Sequence, residues 1–141
     1  MPNFKMVAAV KYDRKKHNIS FRNAFNGVVL AYKTQPNFRF HTLFFVLITI
    51  ASYLYRINMN EYLAIIILSG LVMSMEMVNT AFEAIGDEVS GGEYRKLIGV
   101  AKDVAAGAVL VAAFFAITVG VIVFLPRILV LVGIPFFITA N

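Results

Sequence analysis

Residues 104–125 read V-A-A-G-A-V-L-V-A-A-F-F-A-I-T-V-G-V-I-V-F-L, 22 consecutive positions without a charge. As a helix rising about 1.5 Å per residue, this stretch is about 33 Å long, against a bilayer hydrocarbon core of about 30 Å. It decides the fold class, because the remainder of the chain supplies weaker versions of the same pattern. Residues 42–55 are uncharged and rich in Phe, Leu and Ile, and Arg56 closes them. That core is only about 21 Å long, so the helix starts earlier or Arg56 snorkels to the interface. Residues 62–75 are also uncharged, and the apolar character continues past Glu76 and Glu83 to Ile85. The expectation is an all-α membrane protein with one integral membrane domain over 1–141 and membrane helices at about 42–57, 62–86 and 102–125.

Composition points the same way. The 141 residues are 60% hydrophobic and 15% charged, with a mean hydropathy of +0.76, where ordinary soluble domains carry roughly 45–50% apolar and about 25% charged residues. Cysteine is absent, which excludes a disulfide framework, thiolate metal ligation and thiol catalysis. The net charge of +5 is unevenly spread: eight of the 13 Lys and Arg fall within residues 1–41, against the single acid Asp13. Beside spanning helices, a basic arm of this kind faces anionic lipid and marks the cytoplasmic side, and nucleic acid is not expected as a partner. No cleavable signal is expected, since the first long apolar stretch begins only after residue 41.

Within the arm, Ile19, Phe21, Ala24, Phe25, Val28, Val29 and Tyr32 recur at three- and four-residue steps. This predicts an amphipathic surface helix over about 14–32 that Pro36 closes, with residues 37–41 leading into the first span. The 56–61 turn holds one cation and the 86–103 connection three, so the positive-inside rule places the arm and the 86–103 loop in the cytoplasm. Residues 126–141, interrupted by Gly133 and Pro135, are expected as an interfacial apolar tail on the other side.

The stretch lipid should not tolerate is M-E-M-V-N-T-A-F-E-A-I-G-D, residues 75–87. At 100° per residue, Asn79 lies about 60° from Glu76, and Glu83 and Asp87 about 20° to either side of it. The acids and the amide therefore share one stripe. An ionisable group deep in a span costs about 2.5–3.5 kcal/mol on insertion scales, so such groups normally face a polar cavity with a task. Simple pairing of Glu76 and Glu83 with arm cations, or an interhelical hydrogen bond from Asn79, are the structural alternatives. A second cluster, G-E-Y-R-K-L-I-G-V-A-K-D at 92–103, ends where the third span begins and sets Lys102 and Asp103 level with the emerging acids. Hard carboxylates suit Mg²⁺, which completes its shell with water and phosphate oxygens, and Arg95 and Lys102 can hold remaining phosphate charge. His17 and His41 are taken as interfacial polar residues. No P-loop, kinase glycine-rich loop or dinucleotide fingerprint is present.

Glu76-Met-Val-Asn79-Thr80-Ala81-Phe-Glu83, followed by Asp87, Glu93-Tyr94-Arg95 and Ala101-Lys102-Asp103-Val-Ala-Ala-Gly-Ala-Val, resembles the small three-span bacterial lipid kinases of the diacylglycerol kinase and undecaprenol kinase family. The likeness runs from about residue 20 to 126 and includes Ser20-Phe21, Ala24, Gly27 and Asn37-Phe38-Arg39; the A-K-D-V-A-A-G-A-V-L-V-A-A wording and the later F-L-P are more similar to the undecaprenol kinase branch. The resemblance implies a homotrimer in the bacterial inner membrane that phosphorylates a lipid hydroxyl with Mg-ATP at its cytoplasmic face. It implies that Glu76 is the general base, with Asn79 beside it in the active-site motif, and that Glu83 binds metal. Lys16, Glu93, Tyr94, Arg95, Lys102 and Asp103 match positions that hold nucleotide. Two positions depart from the pattern. Gln35 stands where a second metal-binding Glu is usual and would join Glu83 at the metal through an amide oxygen that brings no charge, and Asn23 stands where a nucleotide-contacting Tyr is common; the alternative is a catalytically weakened lipid- or nucleotide-binding relative, or a nonenzymatic membrane scaffold or transporter subunit.

Overall fold

The computed structural model describes residues 21–134. Helix accounts for 89% of them and none is in a strand. The elements are α1 (Phe21–Thr34), α2 (Pro36–Leu54), α3 (Met59–Ser90) and α4 (Lys96–Leu131). Of these, α2, α3 and α4 are long and apolar enough to cross a membrane. The fold is thus an all-α membrane protein with three spans and one further N-terminal helix.

The break between α1 and α2 follows from local chemistry. A residue before proline is pushed into extended backbone, and Gln35 adopts φ −105° and ψ 111° as the N-cap of α2, with Pro36 in the first turn where its missing N–H costs nothing. The bend is slight in hydrogen-bond terms, since Gln35 N still donates to Ala31 O at 2.8 Å. On α1, Phe21, Phe25, Val28 and Tyr32 form an exposed apolar stripe, the surface an interfacial helix presents to lipid. The expected lead-in at 37–41 is instead helical, because α2 begins at Pro36. That earlier start lengthens the short first span, and it leaves Arg56 in the turn with a positive φ of 49°.

The other spans exceed their expected limits. Asn58 caps α3 through a capping box: its side chain accepts from Glu61 N at 3.0 Å while its own N–H donates to Glu61 Oε2 at 2.9 Å. At the far end Gly91 closes the helix in the left-handed region, φ 61°, a conformation glycine adopts without a Cβ clash. Helix α4 begins at Lys96 and runs through Pro126 to Leu131, so residues 126–131 are helix and not tail. Proline within a membrane helix is tolerated where side chains re-satisfy nearby carbonyls. Here Arg127 Nη1 donates to Val123 O at 2.6 Å, beside the carbonyl that Pro126 leaves without a backbone donor. Residues 1–20, including the first part of the expected surface helix, and 135–141 lie outside the described residues.

Packing is mostly α3 against α4, with α2 against α3. A small core of Ile65, Val123 and Phe124 gathers Ile48, Ala51 and Tyr55 of the α2 end, with the Tyr55 and Phe124 rings edge to face at 5.9 Å. Most other large apolar side chains are exposed, as lipid-facing surface requires. At this end Arg127 grips Glu61 in a fork, Nη2 to Oε2 at 2.7 Å and Nη1 to Oε1 at 3.2 Å, with both side chains about one-quarter exposed. Glu61 therefore serves the α3 cap and the α3–α4 clamp together. Glu61→Gln should lower stability by about 1–2 kcal/mol, since a half-buried bidentate ion pair and a cap both weaken. Thermal unfolding in detergent should show the drop, and Arg127→Met should add little to it in the double variant.

Candidate active site

The acid stripe of α3 descends from buried to exposed. Glu76 is 2% exposed and Asn79 6%; Glu83 is half-buried and Asp87 exposed. With 1.5 Å of rise per residue, Glu76 and Asp87 are separated by about 16 Å along the axis. Burial of Glu76 depends on α2. Asn37 and His41 of α2 and Glu83 of α3 are the polar groups close enough to act on its carboxylate. Asn37 and His41 are one turn apart and so share a face of α2. His41 thus stands beside the deepest acid and is not merely an interfacial residue. Neither Asn37 nor His41 is among the site residues expected from sequence.

One turn nearer the α3–α4 connection, Asn79 Nδ2 donates to Glu83 Oε1 at 3.1 Å. Asn79 Oδ1 is buried without a hydrogen-bond partner, and so is Gln35 Nε2; Gln35 itself is 7% exposed. Unmade hydrogen bonds of this kind cost about 1–3 kcal/mol each, which natural structures retain chiefly where a ligand or water completes them.

The remaining sequence candidates occupy the turn and the start of α4. Glu93, Tyr94 and Arg95 are exposed, Tyr94 at 88%, and Arg95 is the N-cap of α4 without a side-chain cap bond. Lys102 reaches across to α3 and pairs with Asp87, while Asp103, about 100° further round the helix, is exposed. Asn23 lies on the exposed side of α1, and Lys16 is outside the described residues. Thus Glu76, Asn79 and Glu83 come together with Asn37 and His41, whereas the turn residues form a separate exposed rim joined to α3 through Lys102 and Asp87. Glu76 and Glu83 form no ion pair among the described residues; the pairs present are Lys102–Asp87 and Arg127–Glu61.

Gly86 makes the Lys102 crossing possible. A Cβ there would lie 2.8 Å from Lys102 Cε and 2.9 Å from Ile98 Cγ2, closer than carbon atoms pack.

The donors can be weighed against the needs of a hard divalent ion. No three His, Cys, Asp or Glu side chains converge on one point among the described residues, but Glu83 offers a carboxylate and Asn79, bonded to it through Nδ2, an unpartnered Oδ1. That set fits Mg²⁺, which binds through one or two carboxylates and takes its other ligands from water and phosphate.

The fold and its buried acidic column define a small helical membrane protein with a polar site set between its spans. The model for prokaryotic diacylglycerol kinase matches residues 22–124. A diacylglycerol kinase of Synechocystis sp. is 42% identical over 111 residues, 79% of this chain and 63% of that protein, so the chain spans somewhat under two thirds of this relative's length. An undecaprenol kinase of Bacillus subtilis is 34% identical over 108 residues, 77% of this chain and 87% of its own, and the diacylglycerol kinase of Escherichia coli K12 is 47% identical over 47 residues, 33% of this chain and 38% of its own. The chain belongs to the prokaryotic diacylglycerol kinase family.

Gly86→Ala should destabilise the α3–α4 pair by about 1–3 kcal/mol through overpacking and displace Lys102 from Asp87. The check is a melting temperature below wild type, with Asp87→Asn causing no comparable loss in the Gly86→Ala background.

Proposed function

We propose that this protein transfers the γ-phosphoryl group of ATP to the hydroxyl of a membrane lipid alcohol. The observation that carries the proposal is the buried Glu76–Asn79–Glu83 column, held against Asn37 and His41, in a chain of the diacylglycerol kinase family. Undecaprenol is the first acceptor, on the wording of residues 101–113 and the F-L-P at 124–126. Diacylglycerol is the second, favoured by the 42% identity to the Synechocystis protein of that name.

Glu76 accepts the hydroxyl proton as the lipid oxygen forms its bond to γ-phosphorus and the bond to the β-phosphate oxygen breaks, releasing ADP. Glu76 is 2% exposed, with Asn37 and His41 of α2 near its carboxylate, so the hydroxyl reaches it along the α2–α3 interface. Depth separates the roles: Glu83, about 10 Å nearer the α3–α4 turn, meets water-borne ligands. Mg²⁺, held by Glu83 with Asn79 Oδ1, would supply charge neutralisation at the β- and γ-phosphate oxygens. Lys102 leaves Asp87 to meet phosphate, and Arg95, Glu93, Tyr94, Asp103 and Lys16 bind the nucleotide from the rim, with Asn23 on the α1 side. Confined to two dimensions, the exposed apolar faces of the spans meet lipid and two further copies in a homotrimer, and the basic arm rests on anionic lipid at the cytoplasmic face of the bacterial inner membrane.

Among the described residues the ion pairs are Lys102–Asp87 and Arg127–Glu61, and neither takes up Glu76 or Glu83. A proton-conducting role is disfavoured by residues 62–75, half of a span without a single acid.

Labelled ATP supplied with undecaprenol or diacylglycerol in mixed micelles should yield labelled lipid phosphate. Glu76→Gln should retain helical content and lower turnover at least about a thousandfold, the loss of proton acceptance and of the local contact combined. Unchanged transfer in this variant would remove Glu76 from the chemistry.

A further inference from the structure

Gln35 and Asn79 sit at one level of the bundle. Asn37 lies near the Glu76 carboxylate, and α2 and α3 are joined by a short turn and run antiparallel. Stepping two residues back along α2 and three forward along α3 moves about 3 Å and 4.5 Å toward the same end, arriving at Gln35 and Asn79. Each carries a buried polar atom without a partner, a donor on Gln35 and an acceptor on Asn79. These are complementary, yet they do not bond each other.

The two sides differ in electrostatic sign. On α3 the neighbours are the carboxylates of Glu83 and Glu76 and the orphaned oxygen of Asn79. On α2 the orphaned Nε2 stands at the N-terminus of a 19-residue helix that has no side-chain cap and no acid in its first turn, with Arg39 in that turn and Lys33 just before it. Helix N-termini attract anions, and an uncapped one beside a buried N–H donor is unsuited to a cation.

We infer that Gln35 binds the nucleotide's phosphate oxygens through Nε2, together with the uncapped N-terminus of α2, and is not a ligand of the divalent ion. The assignment rests on the kinase reading above. It makes Gln35 a substrate-contacting residue with an anion-binding role, and leaves Glu83 as the one carboxylate at the metal. The divalent ion belongs to the α3 wall and the phosphates to the α2 wall.

Two binding measurements on the full chain in detergent separate these roles: ATP affinity in EDTA by calorimetry, and Mn²⁺ affinity without nucleotide by electron paramagnetic resonance. Gln35→Ala should weaken ATP about tenfold or more, the usual loss for a hydrogen bond to a charged group, and leave Mn²⁺ within about twofold of wild type. The isosteric Gln35→Glu keeps the shape if the alanine variant folds poorly; it should weaken metal-free ATP at least as much through like charge, and gain Mn²⁺ affinity. Glu83→Gln should show the opposite pattern to Gln35→Ala, with Mn²⁺ lost. Mn²⁺ affinity falling in Gln35→Ala as it does in Glu83→Gln, or ATP affinity unchanged in both Gln35 variants, would overturn the assignment and leave the kinase reading standing. Wild type that binds no ATP with or without metal would overturn both.

Discussion

A carboxylate with 2% exposure on a helix that otherwise meets lipid has to be satisfied by another helix, and this requirement fixes the bundle. Glu76 is buried on α3, and Asn37 and His41 of α2 lie at its level. Once they are aligned, antiparallel packing sets buried Gln35 toward one end, and Ile48 and Ala51 with the small Ile65–Val123–Phe124 core toward the other. Breaking α1 from α2 at the residue before Pro36 is part of the same arrangement, because it buries Gln35 in the bundle while letting α1 turn its apolar stripe outward.

The two ends of the bundle solve opposite problems. At the α2–α3 turn, Glu61 caps its own helix and holds Arg127, which in turn supplies a donor beside the Pro126 gap; polar groups there are mutually consumed. At the α3–α4 turn the polar groups are left partly unused: Asn79 Oδ1 and Gln35 Nε2 lack partners, Tyr94 and Arg95 stand in solvent, and Lys102 is tied to an exposed Asp87. One end is held by the Glu61–Arg127 clamp beside a cavity lined by Thr49, Ser52, Arg56 and Tyr62, and the other leaves polar groups without partners.

Much of this is legible in residue order. Residues 104–125 carry the membrane signal without interruption, and the 100° arithmetic over 75–87 is enough by itself to put Glu76, Asn79, Glu83 and Asp87 on one side of a helix. Helix limits are less legible. Lys102, Asp103 and Pro126 look like stops, yet a span that continues into the interface carries charges on its wet turns, and α4 runs on through the proline. Asn58 and Glu61 fit a capping pattern that hydropathy ignores. Asn37 and His41 do not stand out as site residues in the sequence because their importance comes from opposing Glu76 across a helix interface, a long-range pairing no local period encodes. The orphaned atoms of Gln35 and Asn79 are likewise products of packing: sequence shows amides, and only the fold leaves one donor and one acceptor unanswered.

The central claim is that the polar column opens at the α3–α4 turn to a metal–nucleotide complex. The chain has no cysteine, so a single nitroxide can be placed at exposed Val89, near that turn, or at exposed Met59, about 45 Å away along α3. Paramagnetic broadening by Mn²⁺ with a nonhydrolysable ATP analogue should be strong at position 89 and absent at 59. Equal broadening at both, or broadening at 59 alone, would contradict the account.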